Sequence, residues 1–253
     1  MWFTLLLMPR ATPTPGTFSL QPRETEDETA LVSRATQKMR MLRALACGNK
    51  YEKAARAKGA TCIAGVDEVG RGALFGPVVA AAVILPPETR IPGLRDSKQL
   101  TREERERMAE LVVRRAEAIA VAEIDVETID RVNIYQATRL AMTAAIKKLA
   151  MAPDHLLIDA MLLDIECAQT SIVYGDSLSI SIAAASVIAK VHRDRLMREL
   201  DGIYPQYGLA AHKGYGTAAH LAALAQYGPC PLHRKSFRPV AQTSLPWKEA
   251  ISD

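Results

Sequence analysis

The chain of 253 residues is 49% hydrophobic and 24% charged, which permits a sizeable core and fits one medium-sized domain with an appendage or two small domains. Its net charge of +4 permits a polyanionic partner but does not establish one. No segment reaches the ~18 to 20 unbroken apolar residues of a transmembrane helix, which argues against a membrane-spanning protein. The short apolar run at the N-terminus follows no basic residue, so a secretory signal peptide is not indicated.

The four cysteines, Cys47, Cys62, Cys167 and Cys230, are scattered along the chain without C-x-x-C spacing. This spacing suggests neither a zinc site nor a disulfide framework. Free thiols in a reducing cytosol are the simpler interpretation. We therefore expect a cytoplasmic protein.

The first quarter of the chain differs in composition from the rest. Residues 1–22 are rich in Thr and Pro and lack periodicity, which predicts a disordered tail. Residues 23–59 are charged, carry apolar residues at helical spacing and end at a glycine, which predicts a small helical appendage. Residues 60–253 are left for the main domain.

The main domain begins with alternating strand and helix signals. The runs "TCIAGV" and "PVVAAAVIL" are typical of buried strands, and a glycine-rich loop joins them. The run "LTREERERMAELVVRRAEA" starts with a capping box, Thr101 to Glu104, and predicts a surface helix. Next, "IAVAEID" predicts a strand, and "NIYQATRLAMTAAIKKLA" predicts a helix that ends before Pro153.

Two further apolar runs end in acids. The run "HLLIDA" reaches Asp159, and "TSIVYGD" reaches Asp176 just before the long helical run "SISIAAASVIAKVHRDRLMREL". Strands and helices that alternate in this way predict an α/β fold with helices packed on a central sheet.

Three apolar stretches therefore deliver carboxylates at or near their ends: Asp67 with Glu68, Asp159, and Asp176. Adjacent residues on a straight strand face opposite ways, so Asp67 and Glu68 can share a site only where the strand bends or ends. Clustered acids repel one another unless cations lie between them, and hard oxygen ligands suit Mg²⁺ or Mn²⁺. A pair of such ions is an established device for phosphodiester hydrolysis, so the pattern suggests a nuclease.

A structural role for single acids stays open at this point. Asp159 alone is more typical of a solvated turn than of a catalytic site. Asp176 could simply cap the N-terminus of the helix that follows it.

Five motifs identify a family. The chain contains, in this order, "AGVDEVGRGALFGPVVAAAVILP", "GLRDSKQLT", "LLIDA", "YGDSLSISIAAASVIAKVHRDRLM" and "YPQYGLAAHKGYGTAAHLAALAQYGPCPLHRKSFRPV". They resemble bacterial type 2 ribonuclease H (ribonuclease HII) over about residues 63–240. The resemblance implies an RNase H-like fold, with a mixed central β-sheet flanked by helices. It also implies that residues 60–253 form a catalytic domain with a C-terminal helical region.

The resemblance further implies an activity. Such enzymes hydrolyse the RNA strand of RNA–DNA hybrids and nick duplex DNA on the 5′ side of an embedded ribonucleotide, leaving 3′-hydroxyl and 5′-phosphate ends. These reactions serve ribonucleotide and RNA primer removal. The family uses Mg²⁺ or Mn²⁺ in a two-metal mechanism and is expected to be monomeric. Its four metal-binding and catalytic acids match Asp67, Glu68, Asp159 and Asp176.

Substrate contacts are also implied by the resemblance. The loop Gly70-Arg71-Gly72 is expected to contact the 2′-hydroxyl of the ribonucleotide, and Tyr215 to stack at the RNA-to-DNA junction. Four other residues match family motifs and are expected to contact the nucleic-acid backbone: Ser97, Lys98, Lys190 and Lys213. The segment from Lys190 to Arg238 carries eight basic residues against three acidic ones, which suits a phosphate-binding face.

Three positions depart from the family pattern. Tyr174 stands where lysine is common, Ala73 where proline is common after the loop, and Phe75 where alanine is common. Two alternative functions are a non-catalytic nucleic-acid-binding protein and a phosphotransferase that acts on all-DNA substrates. The cluster of acids argues against the first, since a polyanion binder gains nothing from negative charge. The 2′-hydroxyl loop argues against the second.

Overall fold

The computed structural model describes residues 47–94 and 97–243. The predicted disordered tail, residues 1–22, lies outside the described residues, as does the predicted appendage up to residue 46. Within the described ranges, no helix combines the length and the apolar character needed to cross a bilayer. All four cysteines are free thiols, as predicted.

The centre of the fold is a five-stranded mixed sheet with the strand order β3-β2-β1-β4-β5. Its strands are β1 (Ile63–Val69), β2 (Val78–Ile84), β3 (Ala118–Ile124), β4 (His155–Asp159) and β5 (Ala168–Ile172). Strand β2 is antiparallel to both β1 and β3, whereas β4 is parallel to both β1 and β5. The predicted mixed sheet is confirmed.

Helices lie on both faces of this sheet. The helices of the described residues are α1 (Lys50–Ala57), α2 (Arg102–Arg115), α3 (Val126–Lys147), α4 (Gly175–Leu178), α5 (Ile180–Ile203), α6 (Leu209–His212), α7 (Ala218–Tyr227) and α8 (Arg238–Thr243), with short 3₁₀ turns at Ser97–Gln99 and Pro205–Tyr207. Alternate residues of β2 face opposite sides, so Ala80 and Ala82 pack against α3, while Ala81 and Val83 pack against α2 and α5. The predicted layered α/β arrangement with a C-terminal helical region is therefore confirmed.

Local signals set two of the helix starts. Helix α2 has the predicted capping box, in which Glu104 N donates to Thr101 Oγ1 at 3.2 Å and Thr101 N donates to Glu104 Oε2 at 2.8 Å. Helix α3 begins seven residues before the predicted start, because Asp125 caps it. The predicted start, Asn133, is instead a break inside the helix with φ 68°, and its side chain caps the second half.

Helix α1 is fastened to the start of α5. The buried carboxylate of Glu52 accepts hydrogen bonds from Ser179 Oγ at 2.6 Å and from Ser181 N at 3.0 Å. Gly48 adds two main-chain bonds to the same turn. Residues 48–57 thus brace the segment that precedes α5, and the domain boundary at residue 59 stays a prediction.

The first turn of α5 lies directly on β1 at Gly65. A Cβ atom at this position would lie 2.1 Å from the carbonyl carbon of Ser181. Only a residue without a side chain permits this approach. The contact brings the residues just before α5 next to the C-terminal half of β1.

We expect Gly65→Ala to lower the free energy of unfolding by at least about 3 kcal/mol, because the added methyl group meets main-chain atoms that cannot move aside. The matched control is Gly202→Ala in α5, where no described atom outside the local helix backbone lies within 4 Å of the added Cβ. That variant should gain ~0.5 to 1 kcal/mol from helix propensity. Urea unfolding of both variants measures the effect, and equal stability of the two would contradict the proposed contact.

Candidate active site

The predicted acids lie near the C-terminal ends of β1 and β4. The register of these parallel strands pairs Val66 with Ile158, so the next residues, Asp67 and Asp159, lie side by side. Neighbouring strands are about 4.8 Å apart, which places the two carboxylates within mutual reach. The N–H of Gly175 at the start of α4 donates to Asp159 Oδ1 at 2.7 Å and so brings α4 to the same edge.

Asp176 on α4 does not cap the helix that follows. The cap of α5 is Ser179, whose side chain accepts from Ile182 N at 3.2 Å. The Oδ2 atom of buried Asp176 instead accepts from the ammonium group of Lys98 at 3.0 Å. The capping interpretation from the sequence is therefore wrong, and this acid faces a cation.

Strand β1 continues through Asp67 and Glu68 to Val69, rather than ending before the acids. The two carboxylates nevertheless share one electrostatic environment. Burial, and then repulsion by Glu68 and the two other acids, raises the pKa of Asp67 well above its usual range. Burial also raises the pKa of Glu68, although Arg71, whose Nη1 lies 3.2 Å from Glu68 Oε1, opposes this shift.

Asp159 completes the cluster. Burial raises the pKa of its carboxyl group to about 6, and repulsion by Asp176 and Glu68 adds to the shift, while the Gly175 N–H opposes it. A carboxylate that is partly desolvated among other carboxylates gains strongly from a nearby cation.

The donor set fits a hard divalent cation. All four side chains offer carboxylate oxygens, the ligands that Mg²⁺ and Mn²⁺ prefer. The Oε2 atom of Glu68 is buried and accepts no hydrogen bond from the described residues. Within residues 47–94 and 97–243, no three acid, histidine or cysteine side chains already converge in a metal-binding group. The carboxylates would have to move closer together around an ion that offsets their repulsion.

The glycine loop, residues 70–76, leaves β1 just past the acids. Gly70 is buried in the left-handed region with φ 91°, whereas Arg71 and Gly72 are exposed. Leu74 N donates to the carbonyl of Gly214 at 2.8 Å, which ties the loop to the segment that carries Tyr215.

Tyr215 faces the exposed part of this loop. A Cβ atom added to Gly72 would meet the Tyr215 ring at 3.9 Å and nothing else in the described chain within 4 Å. The backbone of Gly72 and the half-buried ring of Tyr215 therefore border one open space. This space begins only four residues beyond Glu68 in the sequence.

Comparison with known proteins decides the family. The family model described as Ribonuclease HII matches residues 64–240. The chain belongs to the ribonuclease HII family. The ribonuclease HII of Koribacter versatilis is 57% identical over 215 residues, which cover 85% of both chains. Members of this family are hydrolytic endonucleases that act on the RNA of RNA–DNA hybrids, and this chain is such an enzyme.

Solved structures show the same fold. The ribonuclease H2 of Pyrococcus horikoshii OT3 matches with a TM-score of 0.63 and 25% identity, covering 72% of this chain and 97% of that one. Bst-RNase HIII, solved in complex with Mn²⁺, matches with a TM-score of 0.58 and 24% identity, covering 75% of this chain and 71% of that one. These matches agree with the RNase H-like architecture of the sheet.

Two of the residues that match ribonuclease HII motifs lie in the 97–98 turn beside the acids. Lys98 is 76% exposed and contacts Asp176. Ser97 is buried, and its hydroxyl lies 3.0 Å from that of Ser186, which in turn hydrogen-bonds the Asp67 carboxyl. In this structure Ser97 is therefore linked to Asp67 through the hydroxyl group of Ser186.

The other two motif lysines are engaged with the protein. Lys190 is largely buried and forms an ion pair with Asp194. Lys213 adopts a left-handed backbone with φ 55°, and its ammonium group donates to the carbonyl of Ala210. Their contacts to nucleic acid stay predictions.

The basic segment is not a uniform phosphate-binding face. Arg193 and Arg234, two of its eight basic residues, are fully buried and donate to main-chain carbonyls. The sequence did carry a signal for the first of them, since Arg193 lies four residues from both Ala189 and Met197 on the buried stripe of α5. No comparable periodic pattern marks Arg234.

The departures from the ribonuclease HII pattern have structural counterparts. The N–H of Ala73 donates to Gly70 O at 3.3 Å, a bond that proline could not form. Phe75 is fully buried, with its ring centroid 4.9 Å from that of His233. Tyr174 adopts a left-handed backbone with φ 60° just before α4.

The raised pKa of Asp159 makes the stability of the metal-free enzyme depend on pH. Because the folded-state pKa of about 6 exceeds the ordinary value of 3.8, the folded state loses stability as pH rises through this window. Asp159→Asn keeps an oxygen for the Gly175 N–H. We expect this variant to unfold at a higher temperature than wild type at pH values above about 6, and to lose this advantage at pH values below 3.8. Thermal unfolding in chelator across pH measures this.

The control variant, Asp154→Asn, should change stability in the opposite direction. Exposed Asp154 accepts hydrogen bonds from Thr61 and from Cys62 N, which lower its pKa. Asp154→Asn should therefore destabilise at neutral pH and lose this effect in acid. An Asp159→Asn variant no more stable than wild type at neutral pH would contradict the proposed repulsion.

Proposed function

We propose that this ribonuclease HII nicks duplex DNA on the 5′ side of an embedded ribonucleotide, leaving 3′-hydroxyl and 5′-phosphate ends, in addition to cleaving the RNA strand of hybrids. The observation that carries the proposal is the adjacency of two features on one stretch of chain. Asp67 and Glu68 belong to the acid cluster. The glycine loop follows a few residues later, and its residue Gly72 faces the Tyr215 ring. Chemistry and sugar recognition would therefore act on neighbouring nucleotides.

The four acids are proposed to hold divalent cations, Mg²⁺ or Mn²⁺. Asp67, which is buried, would bridge two ions, with Glu68, Asp159 and Asp176 completing the two sites. The Mn²⁺ bound in the Bst-RNase HIII structure supports this choice of metal. Bound ions would activate the attacking water and stabilise the departing 3′-oxygen.

The chain's own groups would position the phosphate. Lys98 contacts Asp176 while its side chain is mostly exposed, so its ammonium group is placed to exchange the acid for a substrate phosphate. The exposed guanidinium of Arg71 contacts Glu68 and is placed to do the same. Guanidinium and ammonium groups are the usual partners of phosphate oxygens.

Selection of a ribonucleotide would depend on the glycine loop. The 2′-hydroxyl distinguishes RNA from DNA, and main-chain groups can approach it closely only where no side chain intervenes. Gly72 leaves such a space, and the Tyr215 ring on its other side offers a stacking surface. The proposed substrate is thus duplex DNA with a ribonucleotide, acted on by a cytoplasmic monomer.

We expect Asp67→Asn to lower nicking of a duplex with one internal ribonucleotide by at least about 10²-fold, because a central charge that holds the ions is lost. The fold should be retained, since removing one of several repelling charges does not cost stability. Strand cleavage with Mg²⁺, with Mn²⁺ and with chelator, beside an all-DNA duplex, measures this. Near-wild-type cleavage by the variant, or cleavage of the all-DNA duplex, would overturn the assignment.

Gly72→Ala tests sugar recognition separately from stability. The added methyl group meets no main-chain atom, so the unfolding temperature should stay close to that of wild type. The methyl group would occupy the space where the 2′-hydroxyl is proposed to lie, so nicking at a single ribonucleotide should fall by roughly tenfold or more. Gly202→Ala, whose added methyl group meets no described atom beyond the local helix backbone, is the matched control and should nick like wild type. Unchanged nicking by Gly72→Ala would show that the sugar does not bind there.

A further inference from the structure

Two arginines with no exposed surface, Arg193 and Arg234, lie behind the glycine loop. Arginine is rarely buried unless its charge and its five donors find partners. Neither can reach substrate from its buried position, so any role in catalysis acts through the groups it holds. Those groups are main-chain carbonyls of the loop and of the segment that carries Tyr215.

Arg193 on α5 links these two segments. Its Nη2 donates to Phe75 O near the end of the glycine loop at 3.0 Å, and its Nε donates to Pro77 O just past the loop at 3.3 Å. Its Nη1 donates to Lys213 O at 2.9 Å, and its guanidinium carbon lies 5.6 Å from the centroid of the Tyr215 ring. One rigid, planar group therefore contacts both sides of the proposed ribonucleotide space.

The start of the glycine loop rests on the same side chain. A Cβ atom at Gly70 would lie 2.3 Å from Arg193 Nε, so the loop backbone packs directly on the guanidinium group. Arg234 holds the loop from its other side, with Nε donating to Gly76 O at 2.9 Å and Nη1 to Arg71 O at 3.0 Å. The carbonyl of Arg71 belongs to the proposed sugar-binding stretch itself.

The main-chain carbonyl of Tyr215 is held by a pair of buried histidines. The Nδ1 atom of buried His220 lies 3.0 Å from Tyr215 O, and the Nε2 atoms of His220 and His233 are 3.2 Å apart. Cys230 N donates to His233 Nδ1 at 3.0 Å, which leaves the proton of His233 on Nε2. Both imidazoles can then be neutral, with His233 donating to His220 and His220 donating to Tyr215 O.

We propose that Arg193 is a positioning residue that sets the spacing between the glycine loop and Tyr215, and thereby the selectivity for a single ribonucleotide in DNA. The inference rests on the proposed function, in which the loop binds the 2′-hydroxyl and Tyr215 stacks at the junction. A single ribonucleotide offers one 2′-hydroxyl and one junction, so both contacts must form together. A long hybrid offers a 2′-hydroxyl at every nucleotide of one strand, so cleavage there tolerates a less fixed geometry.

The test compares Arg193→Lys and Arg193→Met with wild type on two substrates, a duplex with one ribonucleotide and a long RNA–DNA hybrid. Lysine keeps the charge but cannot donate to three carbonyls in the geometry of a guanidinium group. We expect kcat/KM on the single ribonucleotide to fall at least about tenfold further than on the hybrid, mainly through kcat. Arg114→Met is the matched control, since Arg114 is 62% exposed on α2 and pairs only weakly with Glu110 at 3.7 Å.

A double-mutant cycle separates positioning from general stability. If Arg193 acts through Tyr215, then Arg193→Lys should change the ratio of the two activities little once Tyr215→Ala is present. An equal loss on both substrates, or an additive loss of selectivity in the double variant, would overturn the proposal. A wild-type enzyme that cleaves the hybrid without nicking at the single ribonucleotide would instead refute the proposed function.

A measurement on wild type covers the case in which the Arg193 variants do not fold. The proposal requires the loop to be fixed before substrate binds. The amides of Leu74 and Gly76, which donate to Gly214 O at 2.8 Å and to Leu232 O at 2.9 Å, should then exchange hydrogen as slowly as those of β2 in the free enzyme. Exchange as fast as in an unstructured peptide would show that the spacing is not preset.

Discussion

The site depends on the contact between the first turn of α5 and β1 at Gly65. Because this glycine lets the helix backbone rest on the strand, the turn of α4 that carries Asp176 lies beside the ends of β1 and β4. The alanines of α5 extend the same close approach along the sheet. A side chain at Gly65 would push the helix outward and separate the acids, so the packing of the core and the chemistry of the site share one constraint.

The acid cluster has an electrostatic cost that the rest of the molecule offsets. Burial raises the pKa values of Asp67, Glu68 and Asp159, and repulsion by neighbouring acids adds to the shift at Asp67 and Asp159, which means that ionising these groups opposes folding. The Gly175 N–H, Lys98 and Arg71 reduce this cost one contact at a time. Energy stored in this way favours cation binding, because an ion placed among the carboxylates relieves repulsion that already exists.

Local sequence signals predicted the features that depend on local structure. The capping box at Thr101, the apolar strands and the order of the four acids each follow from neighbouring residues, and the family motifs placed them on one fold. The predicted start of α3 was wrong because Asp125, eight residues before Asn133, caps the helix. Helical spacing indicated that Arg193 is buried, but local sequence could not identify its partners, since these lie on the distant glycine loop. Such partners become neighbours only after the sheet and α5 have packed together.

The strand that carries the first two acids also leads directly into the glycine loop. From Asp67 to Gly72 the chain has no room for a hinge, because Gly70 rests on Arg193 and the carbonyl of Arg71 is held by Arg234. In the proposed function, rigid coupling of this kind would fix how many nucleotides separate the sugar that is recognised from the phosphate that is cut. A flexible loop could recognise the same sugar, but the position of the cleaved phosphodiester bond would then vary along the strand. If the loop binds the sugar as proposed, the two buried arginines, whose desolvation is costly, would be the structural basis of a defined cleavage position.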